Sequence, residues 1–146
     1  MSDIAWELSH SVESAASPAF AWAYMTNVSN WDDPPAEFEL DGPFATGAHG
    51  RTRMPGREPT AWQLVAVDPA LRTYTLAAAL DRATLSFQWR FEPCAGGTRL
   101  TQRVVLVGEN AAEYLSPVRD TFSATLAPGM ERIAAAMCRA ATQMAV

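Results

Sequence analysis

The sequence predicts an α+β fold in which one curved antiparallel sheet of seven strands wraps around a long, kinked C-terminal helix. Three observations carry that prediction. Apolar and polar residues alternate with period two through residues 4–13, and again in a series of short runs between 37 and 107. The runs are separated by short turns, and strands joined in this way run antiparallel because a parallel pair needs a long crossover. From Leu115 onward the apolar residues recur at steps of three and four, the period of a helix that buries one stripe.

The first strand covers 4–13, with Ile4, Trp6, Leu8, His10 and Val12 in one phase and Ala5, Glu7, Ser9 and Ser11 in the other. Ser17-Pro18 then supplies an N-cap followed by proline at the first helical position. The helix it starts carries Phe20, Ala23, Tyr24 and Val28 on one stripe and frays near Asn30. Trp31-Asp32-Asp33-Pro34-Pro35 is a loop with room for one helical turn. Phe38 and Leu40 alternate with acids in a short strand before Gly42-Pro43 and Gly47.

Residues 49–54 form a strand closed by Pro55-Gly56, a pair suited to a type II turn. Strands at 60–67 and 72–79 follow, joined by Asp68-Pro69. The clearest strand is 84–92, with Leu85, Phe87, Trp89 and Phe91 opposite Ser86, Gln88, Arg90 and Glu92. Pro93 to Gly97 reads as a hairpin turn and Thr98 to Val107 as the last strand. The C-terminal stripe is Leu115, Val118, Phe122, Leu126, Met130, Ile133, Met137, Ala140 and Met144, with Ser116-Pro117 as its expected cap. Its phase persists across Pro128-Gly129, so one helix kinked near Pro128 is expected.

The length of 146 residues suits a single domain, 1–146, with no repeat, low-complexity tract or linker. Hydrophobic residues make up 49% and charged residues 18%, a globular composition. The N-terminus lacks a basic region followed by an apolar one, so no secretory signal is visible. No apolar run approaches the roughly 18 residues of a membrane span. The expected location is the cytoplasm. A net charge of −5 and scattered arginines argue against a nucleic-acid partner. The chain has no lysine, which excludes a Schiff-base lysine, a lysine general base and a P-loop. Cys94 and Cys138 suit neither a zinc site nor a disulfide framework and read as reduced packing residues. No cofactor or metal is expected, and a homodimer stays open.

A single helix is about 10–12 Å across with its side chains, whereas seven strands spaced at about 4.8 Å make a much wider sheet. The sheet must curl around the helix, and the space between them becomes a pocket unless large side chains fill it. Five Trp, six Phe and three Tyr could do either.

Ser14-Ala15-Ala16-Ser17-Pro18-Ala19-Phe20-Ala21-Trp22-Ala23-Tyr24, followed by Asn27-Val28-Ser29-Asn30-Trp31, resembles the opening of the START-like (SRPBCC) superfamily. That superfamily includes polyketide cyclase/dehydrase-like and birch-pollen-allergen-like proteins. Phe38 to Phe44 with Gly47 and Gly50, Trp62 to Pro69, and Trp89 to Pro93 with Gly97 to Thr101 resemble its later strand-turn units. The resemblance covers nearly the whole chain and implies a helix-grip fold with an internal cavity under the helix. Members bind lipids, hormones, polyketides or other apolar molecules, and some cyclise or dehydrate polyketides. This chain departs at Asp32, Asp33, Pro34 and Pro35, where many relatives carry a second aromatic residue.

The candidate ligand-binding residues are Trp31 near the mouth, Trp62, Phe87 and Trp89 as aromatic walls, Gln102, Phe122, and Met130 and Met137 on the helix. Gln102 is a polar residue on an apolar strand face and needs a partner. His10 shares a phase with apolar residues and is the candidate general base, although no catalytic residue is assigned. His49, Arg51 and Arg53 could bind a carboxylate or form a solvated outer face. Asp32-Asp33 beside Asp41 matches no calcium-loop spacing. The expected function is binding of a small hydrophobic or amphipathic molecule in the cavity. The alternatives are a polyketide cyclase or dehydratase using the same cavity and an interaction protein acting through its outer surface.

Overall fold

A computed structural model describes residues 4–31 and 33–144. Strand β1 (Ile4–Ser14) leads into helix α1 (Pro18–Met25) and a 3-10 turn at Val28–Asn30. Six strands follow: β2 (Glu37–Leu40), β3 (His49–Arg53), β4 (Thr60–Asp68), β5 (Thr73–Leu80), β6 (Ala83–Cys94) and β7 (Gly97–Val107). A second 3-10 turn, Ala111–Glu113, precedes helix α2 (Leu115–Met144). The seven strands form one antiparallel sheet in the order β1-β7-β6-β5-β4-β3-β2, so the first strand lies beside the last.

Local chemistry accounts for the boundaries. The Ser17 side chain accepts the Phe20 N–H at 3.2 Å and Pro18 opens α1, as its sequence predicts. The helix ends at Met25 rather than near Asn30, where the Asn27 side chain instead caps the 3-10 turn by accepting the Ser29 N–H. Ala21 and Met25 are its buried residues and Ala23 is exposed, so the expected stripe is rotated. At the β3–β4 turn Gly56 has φ +73° and Arg57 N–H donates to the Met54 carbonyl, as a type II turn requires.

Two further expectations are corrected. Pro93 is a strand residue opposite Thr98, and the β6–β7 turn is only Ala95-Gly96. Pairing of β6 with β5 stops at Arg90, so the N–H that Pro93 lacks would have faced an unpaired edge. Helix α2 starts at Leu115, before Ser116, and its first turn is closed by Val118 N–H to the Tyr114 carbonyl at 3.0 Å. Pro117 therefore sits in the first turn, where no intrahelical acceptor is missed. Beyond it α2 runs unbroken through Pro128.

The register assigns the two faces of the sheet. Trp6, Leu8, His10, Val12 and Ser14 of β1 lie opposite Leu106, Val104, Gln102, Leu100 and Thr98 of β7. The same face continues through Leu85, Phe87, Trp89 and Phe91 of β6, Tyr74 and Leu76 of β5, and Trp62 and Leu64 of β4. It packs on Leu126, Met130, Ala134 and Met137 of α2 in one core cluster. Leu115 and Val118 join a smaller cluster around Ala83, Leu106 and Ala111. The Met144 side chain of the predicted stripe lies outside the described residues.

The opposite face is polar and ion-paired. Arg103 pairs with Glu7, Arg99 with Glu13, and Arg51 with both Glu39 and Asp41. Arg53 also contacts Glu39. The carboxylates that the arginines of β3 hold thus come from Glu39 of β2 and from Asp41, the residue that follows that strand.

Candidate functional site

The face of the sheet turned toward α2 carries His10, Trp62, Phe87, Trp89 and Gln102, while Trp31 comes from the turn after α1 and Phe122, Met130 and Met137 from α2; they fall into two groupings. The first is aromatic. Trp62 is buried and covers Gly50, and its indole N–H donates to the Thr52 hydroxyl at 3.0 Å. Trp31 packs beside it at a centroid distance of 5.7 Å, also touches Phe38 and Phe44, and donates its own N–H to the Met25 carbonyl at 2.8 Å. Phe44 meets Tyr74 edge-on at 5.0 Å, and Tyr74 stacks on Trp89 and Phe91. Trp22 of α1 closes the group edge-on against Tyr74 and Phe91. Such pairs add about 0.5–1.5 kcal/mol each beyond their area burial. This end of the interior is a filled aromatic wall.

The second grouping lies under α2. Phe87 and Phe122 meet edge-on at 5.5 Å, β6 against helix. Gln102 stands between its two cross-strand partners, His10 on β1 and Trp89 on β6. Directly opposed residues of this kind have Cβ atoms about 4.5–5.5 Å apart, so the two polar side chains singled out on apolar strand faces are neighbours. Met130 and Met137 are fully buried in the core cluster.

Burial differs along this surface. Leu76, Phe87 and Gln102 sit on strands paired on both sides and face α2, yet they stay half-buried. Their neighbours Leu64, Leu100, Val104 and Phe91 are buried almost completely. Half-burial therefore runs across the sheet from Leu76 on β5 through Phe87 on β6 to Gln102 on β7 and His10 on β1, beside positions of the same strands that are buried.

The polar groups of this face fall into two kinds. The Ser14 hydroxyl donates to the Ala134 carbonyl of α2, the Thr98 hydroxyl donates to the Ala16 carbonyl, and Thr52 holds Trp62. His10 is different: its Nε2 is buried and has no hydrogen-bond partner. Among the described residues, the Gln102 side chain also makes no hydrogen bond. Tyr74 is 2% exposed, and burial pushes its phenol well above the ordinary range, so it is a neutral hydroxyl. Reading the residues one by one did not single out Tyr74, although its alternation with Thr73 and Thr75 carried the signal.

Two surface depressions lie outside this region. One of about 280 Å³ is on the opposite face of the sheet, between Ser9, Thr73, Thr75, Gln88, Thr101 and Arg103. The other, of about 290 Å³, is bounded by Pro35, Glu37, Arg53, Pro55 and Pro59 near the β3–β4 turn. Asp33 is exposed and pairs with Arg132 of α2 at 3.6 Å, while its neighbour Asp32 lies outside the described residues. Cys94 and Cys138 are free and half-buried. No described helix is long and apolar enough to cross a membrane.

One antiparallel sheet closed on a long C-terminal helix, with a short helix in the β1–β2 connection, defines the helix-grip class. Residues 5–143 match the family described as polyketide cyclase / dehydrase and lipid transport, and the chain belongs to it, within the SRPBCC superfamily. No curated protein matches the chain. Among solved structures it is similar to Ara h 8.0201, with a TM-score of 0.66 and 17% identity over 94% of this chain and 98% of that one. It is also similar to norcoclaurine synthase from Thalictrum flavum in complex with dopamine and hydroxybenzaldehyde, with a TM-score of 0.68 and 14% identity over 98% and 88%. A protein from Rhodobacter sphaeroides gives a TM-score of 0.69 and 18% identity over 98% and 99%. At these identities the likeness is one of fold.

Proposed function

We propose that the chain binds a small hydrophobic or amphipathic molecule, lipid- or polyketide-like, between the middle of its sheet and α2. The observation that supports this best is the half-burial of Leu76, Phe87 and Gln102, which face the helix from interior strands. An apolar surface that the protein's own helix leaves incompletely covered gains about 25 cal/mol for each Å² a ligand removes from water. The family description, which joins polyketide chemistry with lipid transport, points the same way. The ligand's body would lie along Phe87 and Phe122, with Trp89 and Trp62 in the wall beside it. Met130 and Met137 would back the site, since flexible thioethers adapt to irregular shapes.

Native mass spectrometry of the purified protein, followed by denaturation and extraction of small molecules, tests the reading. A co-purifying apolar compound, or a melting temperature raised by apolar probes, is the expected result. An empty protein that no apolar probe stabilises would defeat it.

A second reading, a cyclase or dehydratase, is favoured by one feature. His10 presents a buried, unpartnered imidazole nitrogen on the same face, and a general base must lie within hydrogen-bond reach of the proton it removes. A His10→Phe variant that retains ligand binding but loses turnover of a polyketide substrate would separate catalysis from carriage.

A further inference from the structure

We infer that the molecule held under α2 is uncharged and carries a hydroxyl group at one end, seated between His10 and Gln102. The inference rests on the binding reading above and specifies the chemistry of its ligand. Every strand contributes to the face turned toward the helix, and the register sets two polar side chains with unused hydrogen-bonding capacity, His10 and Gln102, directly opposite each other. Ser14, Thr98 and Thr52 are engaged within the protein, as their bonds to Ala134, Ala16 and Trp62 show. His10 Nε2 is not engaged, and Gln102, directly opposite on β7, has no partner among the described residues.

The pair selects a chemistry. A neutral imidazole has one ring nitrogen that accepts and one that donates, while the glutamine amide both accepts and donates. A single hydroxyl, which is donor and acceptor at once, can give its proton to the imidazole and accept the amide N–H. An ether or a hydrocarbon satisfies only one of these groups or neither. A carboxylate meets a different obstacle. Among the described residues, the sheet face toward α2 and the buried stripe of α2 carry no Arg, Asp or Glu; the charged side chains of the strands lie on the opposite face, several of them in ion pairs. An anion under the helix would lose hydration with no fixed counter-charge to replace it.

Position follows from the same register. The His10–Gln102 pair lies at the β1–β7 side, and the Phe87–Phe122 contact lies over the next strand, β6. A rigid apolar body along those rings would place its polar end between His10 and Gln102. The class is therefore an aromatic or polycyclic alcohol or phenol.

Binding of naphthol, its methyl ether, naphthalene and naphthoic acid to the whole protein, measured by calorimetry, tests the inference. Naphthol is expected to bind tighter than the other three, by about three- to tenfold over the ether, as one net hydrogen bond supplies. That advantage should disappear in His10→Phe and in Gln102→Met, so that each variant binds naphthol and its methyl ether alike. Should one variant fail to fold, the other and the four-ligand series on the unaltered protein still decide. Equal affinity for naphthol, ether and naphthalene would overturn the inference and leave apolar binding standing, as would a preference for naphthoic acid. If none of the four binds, the binding reading itself falls and takes the inference with it.

Discussion

A methyl group added at Gly50 would run into the six-membered ring of Trp62, with Cζ3 only 2.5 Å from the new carbon. Trp62 cannot retreat readily, because its N–H is held by Thr52 and its ring by Trp31. Gly50→Ala should therefore cost about 1–3 kcal/mol, the usual range for overpacking, seen as a lower urea midpoint. Trp62→Leu should relieve much of that cost in the double variant. Tyr74 supports a second residue-scale prediction. Its phenol keeps the proton in the folded state at pH values where the unfolded chain, with an ordinary value near 10, loses it. Protons bound to the folded state then exceed those bound to the unfolded one, so stability falls as pH rises above about 10, by up to about 1.4 kcal/mol per pH unit. Tyr74→Phe should flatten that alkaline slope in urea titrations. At this scale the phases of His10 and Gln102 were readable from the sequence. Their adjacency was not, because it depends on β1 pairing with a strand some ninety residues later. The bond from Trp31 to Met25 was equally hidden, since it arises from how the 3-10 turn folds back on α1.

Proline marks where element-level reading succeeds and where it fails. Pro18 opens α1 as expected, because its conformational preference acts locally. Pro93 was expected in a turn but lies in β6, and only the early end of the β5 pairing makes that tolerable. Sequence reports that proline lacks a donor; it does not report whether a partner strand would have needed one. Pro128 is the most consequential case. Within α2 it cannot donate to the Ala124 carbonyl, yet the helix continues because the apolar stripe on both sides is buried in one core, with Leu126 and Met130 flanking the proline. Packing has overridden propensity. Pro128→Ala should restore the missing bond and raise stability by about 1–3 kcal/mol in urea unfolding, part or all of the penalty for proline in a helix interior. A loss of stability would instead mean that α2 must bend at this point to follow the sheet.

At the scale of the whole molecule, polar chemistry is divided between two faces of one sheet. Arginine and acidic residues pair across strands on the outer face, where exposed ion pairs contribute only about 0–1 kcal/mol each. The face toward α2 is apolar apart from a few hydroxyls, one amide and one imidazole, and His10 Nε2 buried there without a partner costs about 1–3 kcal/mol. That cost falls where the helix covers the sheet less fully, so occupancy of the interior should register as a gain in global stability. A ligand that binds only the folded state at one hundred times its dissociation constant adds about 2.7 kcal/mol. For a chain of 146 residues, that corresponds to a melting temperature higher by roughly 5–10 °C. The denaturant dependence of unfolding should change little, because the sheet and helix already bury most of what they bury when loaded. A saturating ligand that gave no thermal shift would have to bind folded and unfolded chains alike, as adsorption to exposed apolar surface does. The same melting experiment on His10→Phe separates the two contributions: the empty variant should melt no lower than the unaltered protein, having lost a buried unpaired nitrogen, while its gain from naphthol should shrink to the gain from naphthalene.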